Sequence, residues 1–157
     1  MDNLEGIVSQ LDVFRGLGSR HLALITGCAA NVRYASGEFL GRLGAQADRF
    51  WVIREGRVAL QLEVPRQHAV TIDTLSHGEV VGFSWLLPPY RLQFDIKALD
   101  PTRALLFDGE CLRKKCEVDT TLGYELVKRF AGIMVDRIQT MSMQLLDVYG
   151  DRPIEQD

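Results

Sequence analysis

The chain has 157 residues, of which 46% are hydrophobic and 25% are charged, and its formal net charge is −3. A chain of this length makes one domain and buries roughly two-thirds of its unfolded surface, so it needs no disulfide or metal to fold. The chain is slightly acidic and lacks the excess positive charge that would attract a nucleic-acid backbone or an anionic membrane. Composition therefore argues against a two-domain enzyme, a basic DNA-binding module and an integral membrane protein.

The three cysteines, Cys28, Cys111 and Cys116, are an odd number without a CxxC pair. Disulfide-rich secreted scaffolds use even and denser sets, so we expect free thiols in a reducing compartment. A metal or redox pair of Cys111 and Cys116 is a weaker alternative. Residues 1–14 lack the basic start and the long apolar core of a signal peptide. The longest nearly uncharged apolar run, residues 80–89, is about half of what a membrane-spanning helix needs. These features predict a cytoplasmic protein without membrane contact.

The first thirty residues carry helical patterns. Four apolar residues from Leu4 to Phe14 recur at steps of three and four, which predicts a helix over residues 4–14. Ser19 is a candidate N-cap for a second short helix over residues 20–30.

Short runs of β-branched and aromatic residues follow, separated by recurring glycines. The runs lie at residues 50–53, 58–64, 70–75, 94–98 and 103–107. After Ala59 the second run alternates between apolar and polar residues, as a half-buried strand does. Glu55 and Gly56 form a candidate tight turn before it. Six or more short strands with glycine at the corners favour a β-sandwich or barrel.

The pattern becomes helical again after Asp108, where Leu112 and Cys116 indicate a short helix. Asp119 or Thr120 can cap a longer one over residues 120–148, ~43 Å in length. Its apolar stripe consists of Leu122, Leu126, Phe130, Met134, Ile138, Met141, Leu145 and Val148. A stripe of this length usually needs a partner helix, which predicts a parallel homodimer through residues 120–148. The alternative is that the helix folds back on its own barrel.

Several segments carry a family likeness in their order and spacing. They are Leu11, Phe14 and Leu17; residues 34–40 with Gly44; Asp48, Phe50 and residues 52–53; residues 56–60; Leu75 with residues 78–82; and Ala98 and Asp108. This set resembles the cyclic nucleotide-binding domain family, the sensor half of catabolite-activator-type regulators, over residues 8–148. The resemblance implies a mainly β fold with flanking α-helices, a double-stranded β-helix (jelly-roll) barrel with N-terminal helices and a long C-terminal helix. It implies a single domain over residues 1–157: helices and barrel at 8–118, the long helix at 119–149 and a tail at 150–157.

In that family a Gly-Glu segment opens the phosphate-binding cassette, where backbone N–H groups and an arginine bind the cyclic phosphate and the glutamate binds the ribose. The resemblance implies cAMP or cGMP as the ligand. The candidate ligand-binding residues are Gly78, Glu79, Val80, Gly82, Ser84 and Arg91. Glu79 is the candidate for the ribose hydroxyl, and Arg91 is the only arginine of the cassette.

The cassette departs from the family pattern, which has Arg, then Ser or Thr, then Ala, with a Val-x-Ala strand four residues after the arginine. If residues 96–98 are that strand, Leu92 stands at the arginine position and Phe94 where a small residue belongs. Phe94 and Trp85 are then expected to occupy the space of the phosphate. Either a bulge returns Arg91 to the pocket, or the site binds another molecule, or it binds nothing small.

The function expected from the resemblance is that of a stand-alone, non-enzymatic regulatory sensor, which binds a small anionic ligand and signals to a protein partner through its C-terminal helix. A degenerate, ligand-free interaction module of the same fold is the alternative. A DNA-acting regulator is disfavoured, because the residues after the long helix, 151–157, are acidic and too few for a DNA-binding unit. A metal-dependent enzyme is disfavoured because His21, His68 and His77 are far apart.

Overall fold

The computed structural model of the chain describes residues 3–150, in which helices flank a block of eight antiparallel strands. The helical segments are α1 (Leu4–Gln10), a 3-10 helix (Asp12–Phe14), α2 (Ser19–Thr26), α3 (Gly109–Val118) and α4 (Thr120–Gly150). The strands are β1 (Ala29–Tyr34), β2 (Phe39–Gly41), β3 (Arg49–Glu55), β4 (Val58–Leu62), β5 (Val70–Leu75), β6 (Val80–Val81), β7 (Asp95–Ala98) and β8 (Thr102–Asp108). They form two sheets of order β1-β8-β3-β6 and β2-β7-β4-β5. The predicted jelly-roll barrel with flanking helices is confirmed.

Strand β3 is apolar on both faces because its sheet separates two cores. Trp51 and Ile53 point between the two sheets, into the interior of the barrel. Phe50 and Val52 point to the other side, where the helices pack. All four side chains are fully buried, which explains why this run lacks the alternation of a half-exposed strand.

The N-terminal helices are shorter than predicted. The first ends at Gln10 and is followed by the 3-10 helix, and α2 ends at Thr26 instead of continuing to Ala30. Ala30 belongs to β1, which pairs with β8 along its whole length. Ser19 is the first residue of α2, and Gly18 occupies the N-cap position without a side-chain hydrogen bond. The gain from six paired strand residues prevails over local helix propensity here.

The prediction of three free thiols is wrong, because Cys28 and Cys111 form a disulfide. The fold brings Cys28, just before β1, beside the first turn of α3, where the Asp108 amide donates to the Cys28 carbonyl at 2.9 Å. The two Cα atoms lie 5.9 Å apart, within the range that a disulfide spans. Cys116 is a free thiol, and burial raises its pKa.

The predicted apolar stripe of α4 has two parts that differ in burial. Leu122, Leu126 and Phe130 are fully buried against the rest of the chain, so this part of the helix folds back on its own domain. Ile138 and Leu145 are 63% and 58% exposed. The fold-back alternative therefore holds for the first part of the helix, and the second part extends into solvent.

Asp119 caps α4, as one of the two predicted candidates. Its carboxylate accepts hydrogen bonds from the Thr121 hydroxyl at 2.6 Å and from the Leu122 amide at 3.3 Å. The Arg20 guanidinium lies 3.0 Å from its second oxygen. The Thr121 bond above all, with the contributions of Leu122, Arg20 and His21, holds the pKa of Asp119 below its usual value although burial opposes this. The cap therefore depends on the charged carboxylate.

Within residues 3–150 no helix is both long and apolar enough to cross a bilayer. The same residues bring together no group of three or more His, Cys, Asp or Glu side chains able to bind a metal ion. The predicted tail lies outside the described residues, apart from Gly150 at the end of α4.

Candidate functional site

A cavity of about 350 Å³ lies between the mouth of the barrel and helix α4. The barrel contributes Leu60, Leu92, Gln93, Phe94 and Ile96, and the segment after β6 contributes Gly82, Phe83 and Ser84. Helix α4 covers it with Met134, Arg137, Ile138 and Met141. Its lining is predominantly apolar, and its volume is at the lower end of the ~300–1,000 Å³ typical of small-molecule sites.

Arg137 is the one charged residue among the described residues that line this cavity. Its guanidinium carbon lies 4.6 Å from the centre of the Phe83 ring, and the group donates a hydrogen bond to the Val80 carbonyl. None of the described carboxylates forms an ion pair with it. Burial lowers the pKa of Arg137, while the negative charges of Asp73 and Glu79 act in the opposite direction. The side chain thus brings a half-buried positive charge without an ion-pair partner to an apolar wall.

The predicted ligand-binding residues divide between two places. Gly82 and Ser84 line the cavity, whereas Gly78, Glu79 and Val80 lie at a separate depression, which Arg137 also lines. The carboxylate of Glu79 is exposed and accepts a hydrogen bond from the Ser76 amide at 2.7 Å. Glu79 therefore closes its own turn and does not line the cavity.

Arg91 does not line the cavity either. Its side chain is exposed, and a guanidinium nitrogen lies 3.4 Å from the Gly44 carbonyl oxygen. The next residue, Leu92, is only 6% exposed and lines the cavity in its place. The Leu92 side chain comes so close to Gly41 that a Cβ there would lie 2.5 Å from its Cδ1. The inward position of this segment is therefore apolar and tightly packed, and a role of Arg91 in ligand binding stays a prediction.

The two aromatic residues expected in the phosphate space differ in position. Phe94 is half-buried and lines the cavity as expected. For Trp85 the expectation is wrong, because it is fully buried in the core beneath the helices. Its ring stacks on Phe50 at a centroid distance of 4.9 Å and meets the edge of Phe130 at 5.4 Å. These aromatic contacts with β3 and α4 hold Trp85 in the core, and it does not line the cavity.

Sequence reasoning missed Arg137, although a signal for it exists. Arg137 lies three residues after Met134 and four before Met141, so it shares their face of the helix. A charged residue on an otherwise apolar helical face is a candidate for pairing with a buried anion, or for extending its charge to solvent. The choice between these depends on the surrounding fold and not on the spacing.

Solved structures share this architecture at low sequence identity. A candidate cyclic nucleotide-binding protein from Geobacter metallireducens superposes with a TM-score of 0.78 at 23% identity, covering 88% of this chain and 99% of that one. The catabolite activator protein of Thermus thermophilus gives 0.67 at 18% identity, covering 88% of this chain and 62% of that one. The regulatory domain of Toxoplasma gondii PKA, solved with cAMP, gives 0.67 at 12% identity, with coverage of 82% and 49%. These likenesses establish the fold.

No match was found among curated proteins. The family model of the cyclic nucleotide-binding domain matches residues 31–119, which run from β1 to the junction of α3 and α4. This segment contains the barrel, except for the first two residues of β1, and most of the cavity lining. The chain therefore belongs to the cyclic nucleotide-binding domain family.

Proposed function

We propose that the chain is a non-enzymatic regulatory sensor, which binds a small anionic ligand between the barrel and α4 and signals to a protein partner through α4. The observation that carries the proposal is the cavity with one half-buried guanidinium, that of Arg137, and no carboxylate paired with it. A half-buried guanidinium that lacks an ion pair keeps N–H donors for an anion, so an anion that enters the cavity gains from it. Relatives in fold include a PKA regulatory domain solved with cAMP.

Helix α4 is the element that would transmit the signal. Its residues 134–141 cover the cavity, and the helix continues beyond them to Gly150 with exposed side chains. A ligand that contacts Met134, Arg137 and Met141 favours the helix positions in which these contacts are made. The proposal therefore links occupancy of the cavity to the surface that α4 presents.

That surface also supports a homodimer through residues 120–148, along a stripe that shares Ile138 and Leu145 with the predicted one but not its buried first part. Tyr124, Val127, Val135, Ile138 and Leu145 are each more than half exposed. Their separations of three, seven and eight residues place them on one side of the helix. The buried stripe of Leu122, Leu126 and Phe130 faces the barrel, so this second stripe is the one available to a partner helix.

The dimer is tested by sedimentation of the purified chain. We expect the double variant Val127→Glu/Val135→Glu to be monomeric at concentrations where the wild type is dimeric. Met143→Glu is the matched control, because Met143 is also exposed, at 62%, but lies on a different side of α4. A wild type that is monomeric at all micromolar concentrations, or a control that dissociates equally, contradicts this part of the proposal.

The ligand is tested first with cAMP and cGMP, by the melting temperature of the purified chain. A ligand at 100 times its dissociation constant adds ~2.7 kcal/mol to the free energy of unfolding. The shift is expected to be lost in Arg137→Met. If neither nucleotide at millimolar concentration shifts the melting temperature, the cyclic-nucleotide form of the proposal is refuted. A shift that Arg137→Met leaves unchanged refutes the role of this cavity.

The second candidate function is the ligand-free interaction module. The observations that favour it are the apolar Leu92 at the inward position and the exposed Arg91. It predicts that no small anion shifts the melting temperature while the α4 surface still binds its partner. A DNA-acting role would require salt-sensitive, sequence-specific gel shifts by this chain.

A cytoplasmic location belongs to the same proposal. Because disulfides are rare in reducing compartments, the bond between Cys28 and Cys111 would then form only under oxidising conditions. Alkylation of thiols in intact cells, followed by mass spectrometry, tests this point. Permanently oxidised cysteines in growing cells would contradict a cytoplasmic location.

A further inference from the structure

We infer that the cavity beneath α4 is built for a small, mostly apolar carboxylic acid rather than for a cyclic nucleotide. The inference rests on the proposed function, because it names the class of anion that the same cavity takes. Three observations carry it: the size and lining of the cavity, its single cation, and the position of the polar groups that a nucleotide would need.

The lining fits a compact apolar body. Leu60, Leu92 and Ile96 form one wall, and Met134 and Met141 of α4 form the opposite one. The volume of about 350 Å³ is at the lower end of the ~300–1,000 Å³ typical of small-molecule sites, which suits a compact ligand. An aromatic or aliphatic chain of this size replaces water against these side chains, which favours binding. The flexible methionines adjust to the shape of such a ligand.

The cation fits one carboxylate. The guanidinium of Arg137 is held by the Phe83 ring and by its hydrogen bond to the Val80 carbonyl. A guanidinium has five N–H donors, so it keeps donors for a planar carboxylate, which it binds in a two-pronged geometry. Ser84 also lines the cavity, and its hydroxyl group is a further potential donor. Charge and hydrogen-bonding capacity therefore match a monoanion at one end of the apolar space.

A cyclic nucleotide lacks corresponding partners in this cavity. Arg91 is bonded to the Gly44 carbonyl outside it, and Glu79 is bonded to the Ser76 amide at a separate depression. The wall that would face ribose and phosphate is formed by Leu92 and Phe94. Buried ribose hydroxyls and phosphate oxygens without hydrogen-bond partners make binding unfavourable. The same groups are absent from an aliphatic or arylalkanoic acid.

The test is isothermal titration calorimetry of the purified full chain with 4-phenylbutyrate, with its neutral analogue 4-phenylbutan-1-ol, and with cAMP. Octanoate in a parallel titration separates aliphatic from aromatic acids. We expect 4-phenylbutyrate or octanoate to bind at one site per chain, at least tenfold more tightly than the alcohol and than cAMP. This comparison uses the wild type, so it does not depend on the folding of a variant.

Two variants locate the anion. Arg137→Met should weaken binding of the acid at least tenfold, and Arg137→Lys, which keeps the charge without the two-pronged geometry, should have an intermediate effect. Arg33→Met is the matched control, because it removes an exposed arginine of β1 that does not line the cavity, and should leave the affinity unchanged. Circular dichroism of each variant checks that it is folded.

The outcomes separate the inference from the proposed function. Binding of cAMP that is tighter than that of either acid and depends on Arg137 overturns the inference and leaves the proposed function standing. Equal affinity for acid and alcohol overturns the inference, because the cavity then does not recognise the anion. If none of these probes binds, the inference fails. The cyclic-nucleotide form of the proposed function fails with it, and the ligand-free module is favoured.

Discussion

The disulfide between Cys28 and Cys111 provides a sharp test of how this fold is stabilised. It joins the chain just before β1 to the first turn of α3, across a sequence separation of 83 residues. Reduction, or the substitution Cys111→Ser, opens this loop in the unfolded chain. In the folded chain the neighbouring hydrogen bond from the Asp108 amide to the Cys28 carbonyl remains available to hold the two segments together.

The expected loss follows from the length of the loop. In the chain-entropy model, closing a loop of this length lowers the entropy of the unfolded chain by an amount worth about 4.5 kcal/mol at 25 °C. Domains have a total free energy of unfolding of roughly 5–15 kcal/mol. The bond therefore supplies roughly 30–90% of the stability, and the reduced protein is close to the limit of folding if the total is small.

The assay is urea unfolding followed by circular dichroism, with and without a phosphine reductant, after mass spectrometry has established the oxidation state. Wild type under reduction and Cys111→Ser without reductant should both lose about 4.5 kcal/mol. Cys116→Ser is the matched control, because Cys116 is half-buried and unpaired, and should respond to reductant as the wild type does. A loss below about 1 kcal/mol from fully oxidised protein would refute the reasoning from loop entropy.

Three further predictions concern the docking of α4, its cap and one turn. Phe130→Ala should lower the free energy of unfolding by ~3–5 kcal/mol, because Phe130 is fully buried, and the exposed Met143→Ala should change it little in the same urea titration. The pKa of Asp119 is lower in the folded chain than in the unfolded one. Its charge therefore stabilises the fold at pH values above ~3.9, the pKa of an unfolded aspartate, and this contribution is lost as the pH falls through the pKa of the folded state. The stability difference between wild type and Asp119→Asn should therefore be largest above pH ~5 and shrink in acid; a pH-independent difference contradicts this. Gly56 and Gly37 both have φ of 90°, but only at Gly56 would a Cβ lie 2.5 Å from a backbone oxygen of a neighbouring loop. Gly56→Ala should therefore lower the melting temperature more than Gly37→Ala. Equal shifts would contradict this, because they would mean that the neighbouring loop moves away from the new Cβ at no cost.

Local patterns predicted most of the fold. Strand β5 lies at Val70–Leu75 and α4 begins at Thr120, as the sequence indicates. These elements are recognisable because their apolar periodicity, their turn residues and their caps agree with one another. Helix α2 ends earlier than its local pattern predicts, because residues 29 and 30 pair with β8, far along the chain, at Phe107 and Leu106.

The remainder depends on contacts between distant parts of the chain. The partner of Cys28 is determined by where α3 begins against the barrel, and spacing alone does not reveal it. The stripe from Leu122 onward changes its environment along its length, because the barrel ends before the helix does. The position of Arg137 at the cavity depends on how α4 packs over Phe83 and Leu92, which its spacing along the helix does not show. The candidate site is therefore less accessible to sequence reasoning than the fold.

The central claim is that a ligand enters the cavity between the barrel and α4 and thereby acts on the helix. Hydrogen–deuterium exchange of the wild type with and without saturating 4-phenylbutyrate tests it most directly, because the method localises binding and reports on the helix at once. We expect slower exchange at residues 82–84, 92–96 and 134–141, which line the cavity, and no change at residues 66–70, which form a separate depression. Unchanged exchange over 134–141, or protection confined to another part of the chain, would contradict the claim.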